Sequence, residues 1–389
     1  MSKFIFHISI TLILFLSFVT TSYPQKPEKV YSIVKQIKTF DWYKSEAEQW
    51  GKLLEKDKKN PEAWLNYYVA NRMARNMFPD EWKSTKGGYL EELDDIVKEM
   101  SQNIPNTFEY YYLKARNNHS FNDQQTKNMF KAYELGPDRI ELFDELICYY
   151  ELQRDTANSQ KFCTKWFESR DISPGILNWN YNVLASLDSN SILITNGDND
   201  TYPAWVLQHV QGFRKDIIVL NINLIMIEKY RDKLFAEKNI KNFEPDTSAK
   251  DYTHYIGSIL KNFVKNADGR SVYFSFTLNP LFYEDIKDKT YMTGLAFKYS
   301  EKDFDNMAYL IKNYENNWLL DYLKADFTND FSVSVINQIN TNYLPVFAKL
   351  YNHYRLSGKV ESMDYIKNLA KLVAQKCENM DYYKYLFEQ

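Results

Sequence analysis

Basic surplus, cysteines, catalytic signatures and long apolar runs are all scarce in this chain of 389 residues, and each scarcity closes off a class of function. With 48 Lys and Arg against 51 Asp and Glu, the formal net charge is -3. No basic stripe is available to neutralise a phosphate backbone, so nucleic acid is not an expected partner. Three cysteines do not make a disulfide framework. Cys148 and Cys163 fall on what read as consecutive antiparallel helices and could meet, Cys377 has no evident partner, and the simpler reading is three small buried apolar residues. No G-x-S-x-G, H-E-x-x-H or phosphate-binding loop occurs, and His119, His209, His254 and His353 stand without motif neighbours.

The N-terminus is the exception to the lack of apolar runs. Lys3 precedes an almost wholly apolar stretch from Phe4 to Val19, followed by Thr20, Thr21 and Ser22, which is the pattern of an export signal. Residues 1–24 are therefore expected to be a signal peptide, with a retained anchor as the alternative. No cysteine lies nearby to carry a lipid. No other stretch is apolar enough to span a bilayer, so no transmembrane domain is expected apart from this segment. The implied location is exported, periplasmic or envelope-associated. A hydrophobic share of 44% and an aromatic share of 16% argue for a folded chain, and its length argues for more than one structural unit.

Residues 25–187 read as stacked helical hairpins. The segment 60–74 has a Pro before its first turn and then Trp64, Tyr67, Tyr68 and Ala70 along one face. Similar starts follow Pro105, Pro137 and Pro174, the last two intervals being 32 and 37 residues. These bracket the ~34-residue period of tetratricopeptide repeats, and the pattern resembles a divergent array of that kind. In residues 188–300 the period changes. Ile192 to Ile194, Ile217 to Leu220 and Val272 to Phe276 are short apolar or β-branched runs, with helices expected at about 203–210, 225–238 and 252–266. Strands alternating with helices predict a small three-layer parallel α/β domain, with a fourth strand, Leu295 to Tyr299, on its edge. Helices resume over 301–389, where residues 344–375 read as a hairpin around Gly358. The fold class is thus α plus α/β: a helical-hairpin array, a parallel α/β domain and a C-terminal helical hairpin.

One turn is dense in polar groups: Asn196, Gly197, Asp198, Asn199, Asp200 and Thr201 follow the first strand, where open α/β sheets keep their ligand sites. Three readings compete. In the first, Asp200 or Thr201 caps a helix that Pro203 opens, and Gly197 permits the turn. In the second, Asp198 and Asp200 are hard oxygen ligands for a divalent metal, completed by Asn221, Asn223, Thr277 or Asn279 from neighbouring strand ends. In the third, Asn196, Asp198, Asn199, Asp200, Thr201, Asn221 and Asn223 form a polar rim for a neutral ligand such as a sugar hydroxyl or a peptide backbone. Direct phosphate binding is disfavoured, since two carboxylates would face it. No cofactor is expected beyond that candidate metal.

The strings NGDNDTYP, RKDIIVLN, RSVYFSF and GLAFKY occur in this order between residues 196 and 299. They resemble segments in the soluble C-terminal region of a bacterial membrane-protein family described as protein O-mannosyltransferase-like, otherwise of uncharacterised function and common in Bacteroidetes. The resemblance spans about residues 188–375. The multi-span membrane half of that family has no counterpart here, so the resemblance implies an accessory exported domain in a Gram-negative envelope. The leading expectation is a non-catalytic binding or scaffold protein, its helical repeats binding an envelope protein or peptide and its α/β domain offering a polar pocket. The alternative is an envelope enzyme acting on glycans or glycoconjugates through Asp198 and Asp200.

Overall fold

Most helices before residue 188 begin where the sequence supplies a cap. In the computed structural model, which describes residues 27–77, 89–117, 122–243, 248, 251–327 and 330–388, α1 (Phe40–Lys56) starts behind Thr39, whose hydroxyl accepts from the Trp42 amide. Asn60 caps α2 (Pro61–Asn76), with Pro61 at a position where a missing N–H costs nothing. After α3 (Tyr89–Asn103) come α4 (Phe108–Arg116), capped by Thr107, and α5 (Asp123–Leu135), capped by Asn122. A 3-10 turn, Ile140–Leu142, leads into α6 (Phe143–Gln153), followed by α7 (Thr156–Ser169) behind Asp155 and α8 (Pro174–Ala185) behind Ser173. Helices α1 and α2, α4 and α5, and α6 and α7 pack as consecutive pairs. Of the residues expected along one face of α2, Trp64, Tyr68 and Ala70 are buried and Tyr67 is half-buried, and Tyr43 and Trp50 of α1 are buried as well. The expected export signal and His119 lie outside the described residues.

The sheet follows: β1 (Ile192–Thr195), α9 (Asp198–Gln211), β2 (Ile218–Asn221), the single-turn α10 (Ile222–Ile225), α11 (Glu228–Glu237), α12 (Tyr252–Lys265) and β3 (Val272–Ser275). A 3-10 segment, Pro280–Lys289, then leads to β4 (Thr290–Met292) and β5 (Ala296–Tyr299). The strand order is β2-β1-β3-β5-β4. β1 pairs in parallel with β2 and β3, as the strand–helix alternation predicts, and every residue of β1 and β3 is buried, which explains their unbroken apolar character. The purely parallel sheet needs correcting. β5 runs antiparallel to β3 and forms a hairpin with β4, so the sheet is mixed and its edge strand is β4. At three residues and half-buried throughout, β4 carries no period that marks a strand.

Beyond the sheet lie α13 (Asn306–Lys312), a π turn (Asn313–Asn317), α14 (Asp321–Lys324), α15 (Val333–Asn340), α16 (Tyr343–Leu356), α17 (Val360–Lys376) and α18 (Met380–Phe387). Gly358, at φ +69°, makes the turn of the expected hairpin between α16 and α17. Buried apolar residues form one cluster running from Val30 to Phe387. Among the described residues, no helix is long and apolar enough to cross a membrane. All three cysteines are free thiols, Cys148 and Cys163 buried and Cys377 donating to the Asn337 carbonyl.

Candidate ligand cavity beside the acidic turn

The helix after the turn starts five residues earlier than its proline suggests. Gly197 is the N-cap, and Asp198 is the first helical residue. Asp200, at the third position, reaches back to accept from the amides of Asn196 and Gly197, both at 2.9 Å. Asp200 thus caps from within the first turn. Pro203 lies inside the helix, where its missing N–H would strand the carbonyl of Asn199. The buried side chain of Asn180, on α8, donates to that carbonyl at 2.8 Å, so the helix continues through the proline to Gly212, which closes it at φ +66°.

The seven residues expected at the rim divide into three groups. Asp200, Thr201 and Asn221 belong to a buried chain. Thr201 and Asp200 share a hydrogen bond at 3.2 Å, the hydroxyls of Thr201 and Thr195 lie 2.7 Å apart, and Asn221 donates to Thr201 at 3.1 Å. Thr277, after β3, donates to the second Asp200 oxygen. Both oxygens of Asp200 therefore accept two hydrogen bonds each, and its carboxylate is fully engaged. Burial raises its pKa, opposed by these donors, first among them Thr277. Asn196 and Asn223 form the second group, the Asn223 side chain donating to the Asn196 carbonyl at 2.8 Å and accepting from Tyr252. Asn221 also caps α10 by accepting from the amides of Asn223 and Leu224.

Asp198 and Asn199 turn towards the helical array instead. Asn199 donates to the Val34 carbonyl at 2.8 Å. Asp198 lines a cavity of about 250 Å³ whose walls come from residues 29–35, α2, α4, the start of α6, Trp166 and Asp171. Most carboxylates here have partners. Arg116 lies 3.3 Å from both Asp144 and Glu145 and donates to the Tyr112 hydroxyl at 2.9 Å. Asp171 pairs with Lys35 and accepts from the Trp166 indole at 2.9 Å. Glu141 pairs with Arg139 at 3.1 Å. Asp198 has no side-chain hydrogen bond or ion pair among the described residues. Asp198 is an exposed residue at this cavity, with protein close around it. Burial and the neighbouring Asp144 charge push its carboxyl up to about 6, with Arg116 only partly offsetting them.

The cavity residues Tyr112, Arg116, Asp144 and Trp166 carry no signal in the sequence, because each sits on a separate or distant turn of the array with no motif joining them to Asp198. A metal does not fit the pair proposed for it. Asp200 has no free oxygen, and no group of three or more His, Cys, Asp or Glu side chains is placed to hold an ion among the described residues. Asn279 instead accepts from the Leu281 amide at the start of the 3-10 segment. His209 lies on α9, half-buried, with its pKa lowered by burial.

A second polar cluster staples the opposite end of the parallel strands. Arg214 donates to the carbonyls of Leu184, Leu187 and Asp188 at 2.7–3.0 Å and pairs with Asp216 at 3.0 Å. The Asp188 carboxylate accepts from Ser271 at 3.0 Å and from Lys298 at 2.6 Å, while its amide donates to the Tyr273 hydroxyl at 3.3 Å. Lys298, Ser271 and the other donors hold the Asp188 carboxyl below its ordinary value despite burial. Residues of RKDIIVLN, RSVYFSF and GLAFKY therefore meet on Asp188, whereas those of NGDNDTYP meet on Asp200 at the other end.

A family profile described as TMEM260-associated domain 2 matches residues 177–346, a span that contains the whole sheet, both polar clusters and all but the first three residues of α8. The match fits the resemblance to the O-mannosyltransferase-like family. No curated protein matches the chain.

Proposed function

We propose that this chain is an exported, non-catalytic binding or scaffold protein of the bacterial envelope, whose helical array and α/β part together hold a partner at the cavity beside Asp198. The observation that carries this reading is the contrast between two neighbouring carboxylates. Asp200 is saturated by the fold, while Asp198 stands unpartnered in a cavity of about 250 Å³ with aromatic and charged walls. A group held at an energetic disadvantage and open to a cavity is a group that a ligand can relieve. The walls mix Tyr112 and Trp166 with acids and bases of both signs, which suits an envelope protein or peptide, or a glycan, more than a lipid chain. The amino-terminal export pattern and the family resemblance support the location.

The test is a crosslinked recovery from the envelope fraction with wild-type chain and with Asp198→Lys. The proposal expects a specific partner with the wild type and at least a tenfold lower yield with the variant, at unchanged circular dichroism. Equal yields would move the partner away from the cavity, and no specific partner at all would remove the binding reading.

A further inference from the structure

Two cavities meet at Asp198. The larger, of about 250 Å³, lies against α2 and α4, and a smaller one of about 50 Å³ reaches towards Ile176 and Pro203. Asp144, Trp166, Asp171 and Asp198 line both. At ~30 Å³ for each water in the liquid, the larger cavity has room for roughly eight waters, or for one long side chain.

Charge decides what kind of side chain. Lys35 pairs with Asp171, and Lys29 stands 3.8 Å from Glu141, which also holds Arg139. Arg116 is shared between Asp144 and Glu145, at 3.3 Å from each, and Arg72 also draws on Glu145. Asp198 is the carboxylate left over. The protein close around it raises its pKa most, Asp144, Glu145 and Asp200 add to this, and Arg116 is the cation that opposes them. An anion would therefore be repelled here, and a cation drawn in.

The walls suit a cation as well. The Arg116 guanidinium lies over the Tyr112 ring at 5.4 Å and the Lys29 ammonium over the Tyr31 ring at 5.2 Å, so two aromatic faces of the larger cavity already carry cations. Beside Asp198 a further aromatic pair, Trp166 and Tyr202, meets edge to face at 6.1 Å and lines the smaller cavity. It offers an apolar wall for the stem of a long basic side chain, whose charged head then reaches the carboxylate.

We infer that the cavity at Asp198 receives a basic side chain, lysine or arginine, of a protein or peptide partner, its charged head paired with the Asp198 carboxylate and its stem laid against Trp166 and Tyr202. A neutral side chain would leave that carboxylate without a partner, and an acidic one would be repelled. The inference rests on the binding reading and narrows it to partners that present a basic residue.

The test uses the full chain and fluorescein-labelled peptides Gly-Gly-X-Gly-Gly with lysine, arginine, norleucine or glutamate at X. Anisotropy is expected to show the lysine or the arginine peptide binding at least tenfold more tightly than the norleucine peptide, and the glutamate peptide binding most weakly. The tighter of the two basic peptides identifies the preferred head group. Asp198→Asn is expected to erase the preference at unchanged circular dichroism, since this carboxyl holds no hydrogen bond that the fold needs. A control on the exposed side of α18, Asp381→Asn, is expected to keep it, which separates pairing at the cavity from attraction to net charge. Equal affinity for the lysine, arginine and norleucine peptides, no binding of any peptide at millimolar chain, or a preference that survives Asp198→Asn overturns the inference. If it is overturned while Asp198→Lys still abolishes recovery of an envelope partner, the basic side chain falls and the binding reading stands. If recovery is also indifferent to Asp198, both fall.

Discussion

Asn180 donates its side-chain amide to the carbonyl of Asn199 at 2.8 Å, serving an acceptor that Pro203, four residues on, cannot reach with an N–H of its own. The pair lets a helix pass through a proline without a stranded buried carbonyl, and it keeps Asp198 at the helix start, facing the cavity.

Removing that donor is expected to be costly only while the proline is present. Asn180→Ala should destabilise the wild-type chain by about 2 kcal/mol, the cost of an unsatisfied buried acceptor together with lost packing. In a Pro203→Ala background the restored amide serves Asn199, and the same substitution should cost about 1 kcal/mol less. Urea unfolding of the four chains of this cycle gives the coupling, and strict additivity would show that Asn180 does not stand in for the missing amide.

The raised carboxyl of Asp198 makes a signed prediction. Its pKa lies at about 6 in the folded chain against an ordinary 3.8, so between these values the folded state binds more proton than the unfolded one. Stability therefore falls as pH rises from about 4 to about 6 and stays lower above that. Asp198→Asn removes the penalty. Because Asp198 is exposed and solvent screens its charge, the gain at pH 7.5 should be on the order of 1 kcal/mol, a thermal shift of about 1–2 °C, and it should vanish at pH 4. A gain of equal size at both pH values would contradict the assignment.

Arg214 is expected to tolerate no substitute. Its guanidinium reaches three carbonyls from the end of α8 to Asp188, as well as Asp216, a geometry that a single ammonium cannot copy. Arg214→Lys should lower stability by about 2 kcal/mol, nearly as much as Arg214→Ala. Full rescue by lysine would mean that charge alone matters there.

What the sequence made legible follows from what each contact needs. The parallel core of the sheet could be read because β1 and β3 are buried on both faces, and that constraint leaves an unbroken apolar run. The hairpin around Gly358 could be read because its turn requires a positive φ. The start of α9 was misplaced because Pro203 reads as a helix opener, and the residue that excuses it, Asn180, lies on another helix. β4 was missed for want of any period in three half-buried residues. The acidic turn follows β1 and opens α9, and its residues divide between a saturated structural knot at Asp200 and an open cavity at Asp198. The cavity walls, from Tyr112 to Trp166, come together only in three dimensions.

The central claim is that this cavity is where a partner is held. Its most direct test is photocrosslinking in the envelope fraction with a benzophenone amino acid at Tyr31, which lines the cavity, and in a second chain at Tyr385, which is exposed on α18. The account predicts a discrete adduct from position 31 that is lost when Asp198→Lys is added, and none from position 385. Adducts of equal yield from both positions, or an adduct from position 31 that is indifferent to Asp198, would contradict it.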